Sequence, residues 1–366
     1  KPQPRLPRMV SLFSPTSFGT LELQNRIVMA PMTRSRSTEK GAVTDLMAGY
    51  YGQRASAGLI VTEGIAPSED GKGYCRTPVL DSPERADGWR PVTSAVHERG
   101  GLIVAQAMHC GRIAHKDNKA PDAETVAPSA VRATGEMYTD ANGLQPFDQP
   151  RELTECEVPG VVAEYRRFAA LAVDAGFDGV ELHGTSGYLP AQFLCTGTNR
   201  RTDAYGGPVQ NRIRFVVEAL HAMADEVGAD RIGLRICPGN PFNDLQDHGP
   251  SDVEDTFRAL LEEIRPMGLA YLHVIRLAGA HLDNLALARD HHDGALIAND
   301  SFDAREAEDA ISDGRCDAVS FARYFLANPD LVERFADGLP LARFDRRTLY
   351  TPGPDGYVDY PTAGEA

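Results

Sequence analysis

Apolar and polar positions change period along this chain at regular intervals. Eight short runs are apolar and rich in β-branched residues: Arg26–Ala30, Gly58–Glu63, Leu102–Gln106, Gly179–His183, Ile232–Ile236, Ala270–Val274, Ala295–Ala298 and Ala318–Phe321. Amphipathic helical spacing follows them at about 45–57, 83–99, 158–176, 208–228, 251–267, 281–290, 303–314 and 328–337. Strand–helix alternation predicts a parallel sheet. Eight such units in 366 residues predict an α/β fold closed as a (β/α)8 TIM barrel. The competing doubly wound sheet would carry a G-x-G-x-x-G turn after an early strand, and the chain has none.

Three segments lie outside the repeat. Residues 11–25, SLFSPTSFGTLELQN, predict a short N-terminal β-hairpin with a Phe-Gly turn, suited to cap the bottom of the barrel. The interval of about 107–157, after strand three, is too long for a simple connection and is rich in Pro, Ala, Asp and Gly. Long loops on that side are usually functional, so an inserted lid over the active site is expected. The aromatic tail DRRTLYTPGPDGYVDYP is expected to fold back over the mouth. Residues 11–361 thus form one domain, and residues 1–10 are expected to be an expression remnant or a disordered extension.

Composition narrows the function. A net charge of −15 provides no global basic field for nucleic acid. No apolar run reaches the ~18 residues of a membrane helix, and the N-terminus has no apolar signal core. Cys75, Cys110, Cys156, Cys195, Cys237 and Cys316 form no C-x-x-C pair. They suggest neither a zinc site nor a disulfide framework, and a reduced cytoplasmic compartment fits them. The expected partner is a small molecule, with no nucleic acid and no membrane. Monomer and homo-oligomer both stay open.

The chemistry gathers at the C-terminal strand ends, which face the active site in such a barrel. Strand four carries Glu181 inside its apolar run and ends in His183, with Ser186 and Tyr188 close behind. By itself this cluster is equally that of a helix cap and an ordinary loop. Strand three holds Gln106, a buried amide that must find partners. Strand five holds Arg235 between Leu234 and Ile236, which points the guanidinium into the barrel. An unpaired buried charge is expensive, so Glu181 on the neighbouring strand is the expected partner. Strand one ends in Pro31-Met32-Thr33, where a turn threonine is the simpler reading, and strand two ends in Thr62-Glu63-Gly64. A glycine there would let a ligand approach the backbone closely.

The stretch from His183 through Gly187-Tyr188, QFL and NRRTDAYGGPVQNR resembles the signature of the Old Yellow Enzyme family of flavin ene-reductases. The segments NRIVMAPMTRSRS, HCGRIAH, SFARYFLANPDLVERF and DGYVDYP extend that resemblance over roughly residues 11–361. It implies noncovalent FMN, with NAD(P)H as reductant, and reduction of an electron-poor alkene in an enone-like substrate. Pro31, Met32, Thr33, Gly64 and Gln106 would then lie against the ring, and Arg235 near its N1 and C2=O edge. The phosphate would sit after strands seven and eight, at Asp300-Ser301 and Ala322-Arg323. Related proteins usually have glycines at both places, so Asp300 must turn its carboxylate away. The resemblance makes Tyr188 the proton donor and gives His183 and Ser186 the activating carbonyl, with Tyr74, Met108 and Tyr350 lining the walls.

Two positions depart from the family pattern. Ser186 stands where a second His or an Asn is usual, and its shorter side chain is expected to slow reduction of simple enones. Met108 replaces a common Trp and is expected to widen the pocket, because Met is flexible. Other functions stay open at this point. A flavin isomerase, dehydrogenase or cyclase of specialised metabolism, without net NAD(P)H turnover, is one. A noncatalytic flavin-binding barrel is another. A metal hydrolase is disfavoured, since no compact His/Asp ligand set stands at the strand ends.

Overall fold

The computed structural model describes residues 10–365, so most of the N-terminal segment whose order was in question lies outside the described residues. Eight parallel strands close a barrel. They are β1 (Ile27–Met29), β2 (Leu59–Ile65), β3 (Ile103–Ala107), β4 (Gly179–His183), β5 (Ile232–Ile236), β6 (Tyr271–Ile275), β7 (Ala295–Asn299) and β8 (Ala318–Phe321). Each starts and ends within two residues of the apolar run that predicts it.

The register fixes which side chains meet inside. Glu181 on β4 lies opposite Gln106 on β3, His183 opposite Arg235 on β5, and Arg235 opposite His273 on β6. Partners in register on parallel strands point to the same face, so these side chains all enter the barrel. Gly233 has a packing reason: a Cβ there would stand 2.2 Å from the Tyr271 ring. Strand β2 bulges between Val61 and Gly64. The Thr62 hydroxyl fills the gap in the ladder by accepting from the Gln106 N–H at 3.0 Å.

The helices follow the predicted stretches, with local reasons for their ends. Pro83–His97 starts at Ser82, whose hydroxyl accepts from the Arg85 N–H, and Ala304–Ser312 opens with an Asp303/Glu306 capping box. The last predicted helix, 328–337, starts later, as Leu331–Asp337, and a separate short helix, Arg323–Ala327, precedes it. Pro329 breaks the run between them, having no N–H to donate.

Below the barrel, the predicted hairpin forms from Thr16–Phe18 and Leu21–Leu23. Phe18, Leu21 and Leu23 close the bottom against Val28, Leu59, Val61, Val104 and Tyr271. Its turn needs Gly19, with φ +56° and only 2.1 Å between a built Cβ and the Asp230 carbonyl. The insertion after β3 holds the hairpin Glu136–Thr139/Gly143–Pro146 and a two-residue ladder of Val126–Ala127 with Arg151–Glu152. The tail does return to the upper loops. Arg34 and Arg36 donate to the carbonyls of Thr348, Leu349, Gly353, Asp355 and Gly356, and Tyr357 stacks on Tyr50 at 4.1 Å. No helix among the described residues is long and apolar enough to cross a membrane.

Candidate active site

One buried polar network spans the upper barrel. Gln106 Nε2 donates to Glu181 Oε1 at 2.7 Å, and Glu181 Oε2 lies 2.9 Å from His273 Nδ1. His273 Nε2 meets the Ser320 hydroxyl at 2.7 Å. Arg235 donates to Asn299 Oδ1 at 2.6 Å and contacts the His273 ring at 2.8 Å. The expected Arg235–Glu181 pairing is therefore indirect, because His273 stands between the two. Burial lowers the Arg235 pKa and the Glu181 charge opposes that effect. An arginine stays protonated under such a shift, so the barrel holds a desolvated cation at its mouth. His273 and Asn299 complete this arrangement. The sequence does not single out His273, because it is one residue inside an otherwise ordinary apolar run.

At the β4 end the loop lifts three groups over this network. His183 is buried, and its Nδ1 has no hydrogen-bond partner among the described residues. Burial, with Arg235 adding to it, pushes its pKa down to about 3, so the imidazole is neutral at working pH. The Tyr188 ring lies 5.0 Å from that of His183, and its hydroxyl is 2.9 Å from the hydroxyl of Tyr74. Burial raises the Tyr188 phenol well above its ordinary range, and Tyr74 adds to this. The phenol therefore keeps its proton throughout the physiological range. Ser186 is half-buried with φ +58°, and its carbonyl accepts from Asn243 Nδ2 at 2.7 Å. Asn243, on the loop after β5, had no signal in the sequence, since nothing local links it to a residue 57 positions away.

Met108 packs with Tyr74, Tyr188, Ile113, Met137 and Phe147, which brings the insertion against the β4 end. A Cβ on Gly64 would stand 2.4 Å from the Met108 sulfur. Gly64 thus makes room for Met108. Tyr350 is 59% exposed and stands at the rim. Pro31, Met32 and Thr33 are half-buried at the β1 end. Glu63 was passed over in the sequence. It is buried with Oε2 unpartnered, and burial raises its carboxyl to about 7.

Across the mouth, Asp300, Ser301, Ala322 and Arg323 line an open cleft of about 1030 Å³ between the β7 and β8 ends. Asp300 turns its carboxylate onto the Ser301 hydroxyl, 3.1 Å away. Arg323 is exposed in this cleft and makes no ion pair with the described residues. A free guanidinium beside the cleft fits a phosphate, and the buried Arg235 fits the electron-rich edge of a planar ring. A closed barrel with this mouth is the build of a flavin-mononucleotide oxidoreductase.

Comparison with known proteins carries the assignment further. The family model described as "NADH:flavin oxidoreductase / NADH oxidase family" matches residues 11–342. A probable flavin mononucleotide-dependent alkene reductase of Leishmania infantum is 39% identical, over 96% of this chain and 97% of that protein. A putative 12-oxophytodienoate reductase 5 of Oryza sativa subsp. japonica is 38% identical, over 95% and 93%. Among solved structures, morphinone reductase in complex with tetrahydroNAD superposes with a TM-score of 0.92 at 41% identity, covering 97% of this chain and 99% of that one. The chain belongs to the NADH:flavin oxidoreductase family, as an Old Yellow Enzyme member. It is an FMN-dependent oxidoreductase that uses NAD(P)H to reduce an activated C=C bond in enone-like substrates, with FMN held noncovalently. These relatives favour net reduction over the non-reductive and noncatalytic alternatives.

Proposed function

We propose that the β4 end is the substrate side of this enzyme, with bulky, multi-ring enones as the preferred class. Bound FMN supplies the two-electron relay between NAD(P)H and the β-carbon of the alkene. The neutral His183 imidazole and the Ser186 hydroxyl hold the activating carbonyl and stabilise charge developing on its oxygen. Tyr188 delivers a proton to the α-carbon as general acid. Tyr74, in hydrogen-bond contact with Tyr188, is placed to replace that proton. Met108 yields to large rings where a rigid aromatic would refuse them.

On the cofactor side, Thr33 would lie against the ring, and Gln106 and Arg235 would hold its polar edge. Gln106 commits its Nε2 to Glu181, which leaves its carbonyl oxygen for an N–H donor at the mouth. Residues 11–361 act as one domain, with the insertion of about 107–157 as a lid that shields the substrate from water. The six unpaired cysteines, five of them buried, suit a reduced cytoplasmic setting.

The observation that carries this reading is the unpartnered His183 nitrogen beside the Tyr188–Tyr74 pair. Anaerobic spectroscopy tests it. NAD(P)H should bleach the yellow protein, and a multi-ring enone should restore the colour faster than cyclohexenone does. If His183→Ala reoxidises at the wild-type rate, the carbonyl is not held there and the reading is wrong.

A further inference from the structure

Two consecutive residues without glycine's freedom sit in the left-handed region at the β7 end: Asp300 at φ +84° and Ser301 at φ +58°. Such a pair does not persist unless its surroundings hold it. One residue, Arg276, meets it at every peptide, by its backbone N–H at the first and by its guanidinium at the next two. The Arg276 N–H donates to the Asn299 carbonyl at 3.0 Å, its Nε to the Asp300 carbonyl at 2.7 Å and its Nη2 to the Ser301 carbonyl at 2.5 Å. The guanidinium lies 3.8 Å from the centre of the Phe302 ring and pairs with Glu306 at 3.2 Å. Glu306 belongs to the capping box of the helix that follows.

Three successive carbonyls thus turn toward Arg276. In a trans peptide the C=O and the following N–H point in opposite directions. The N–H groups of Asp300, Ser301 and Phe302 therefore face away from Arg276, and none donates to another group among the described residues. Consecutive free amides of this kind form an anion-binding nest.

We infer that Arg276 is a positioning residue for the phosphate of FMN. It acts from behind the loop, replacing by a side-chain clamp the freedom a glycine would supply. It touches neither the phosphate nor the reacting atoms. This rests on the reading of the β7–β8 cleft as the phosphate site, and the experiment separates the two.

Apoprotein is titrated with FMN and with riboflavin, which lacks the phosphate, and flavin fluorescence gives each Kd. Wild type should bind FMN far more tightly than riboflavin. Arg276→Met should weaken FMN about tenfold, a change of about 1.4 kcal/mol, and leave riboflavin unchanged, which also shows that the barrel is intact. Ser301→Gly should restore FMN affinity in the Arg276→Met protein. Equal affinity of wild type for FMN and riboflavin overturns the phosphate site itself. A preference for FMN that is undiminished in Arg276→Met overturns the clamp alone. A loss that Ser301→Gly does not repair means that Arg276 acts by its charge, and this too overturns the clamp.

Discussion

The two ends of this barrel are built from the same eight strands and solve opposite problems. At the bottom, Phe18, Leu21 and Leu23 plug the interior against Val28, Leu59, Val61, Val104 and Tyr271. At the top, Gln106, Glu181, Arg235, His273, Asn299 and Ser320 fill the same interior with a connected set of charges and amides. The bottom gains stability by removing apolar surface from water, and any well-fitting apolar set would serve. The top loses solvation for each charge and recovers it only through specific partners. Sequence change is therefore tolerated differently at the two ends, and substitutions should separate stability from chemistry.

The widest separation comes from Tyr188→Phe. It should slow substrate reduction by ~100- to 10,000-fold, the usual worth of a general acid, and leave the melting temperature and flavin reduction by NAD(P)H nearly unchanged. Stopped-flow measurement of the two half-reactions checks this. At the other end, Phe18→Ala should remove roughly 3–5 kcal/mol of stability with little change in either half-reaction of the folded protein. Chemical denaturation read beside kcat would detect a failure, since a loss of rate at constant stability would place the plug in the catalytic machinery.

Glu63 tests the cost of a buried carboxyl whose desolvation outweighs the pull of Arg34 and Arg36. Its folded pKa of about 7 lies above the ordinary carboxyl value of 4.5. The folded state thus holds this proton more tightly than the unfolded chain does. The contribution is fully present below about 4.5 and falls away as pH rises to about 7. Glu63→Gln should flatten that decline, by ~3 kcal/mol at most. Superimposable wild-type and variant curves of stability against pH would show that Glu63 is ionised and compensated.

The smaller effects sharpen the substrate side. Ser186→Asn should raise the rate of cyclohexenone reduction about tenfold, short of the ~100-fold or more that one oxyanion donor can be worth, while flavin reduction stays as it was. If wild type is already fast and gains nothing, the departure at Ser186 has no mechanistic meaning. Met108→Trp should selectively slow turnover of multi-ring enones. An equal response of small and large substrates would place Met108 outside the pocket.

What the sequence by itself determined is local. The apolar runs and helical spacings located all eight strands within two residues, because burial of a strand is written in its own residues. Arg235, Glu181 and Gln106 were legible for the same reason, as polar groups that an apolar run does not otherwise contain. What only the tertiary structure decided is partnership. Glu181 meets His273, 92 positions away, and Arg235 meets Asn299, 64 away. Ser186 is held by Asn243, and the left-handed Asp300-Ser301 turn by Arg276. Closing the barrel sets these pairs through strand register and loop approach, and neither leaves a periodic trace in the chain. The same closure placed Met108 where Gly64 leaves room.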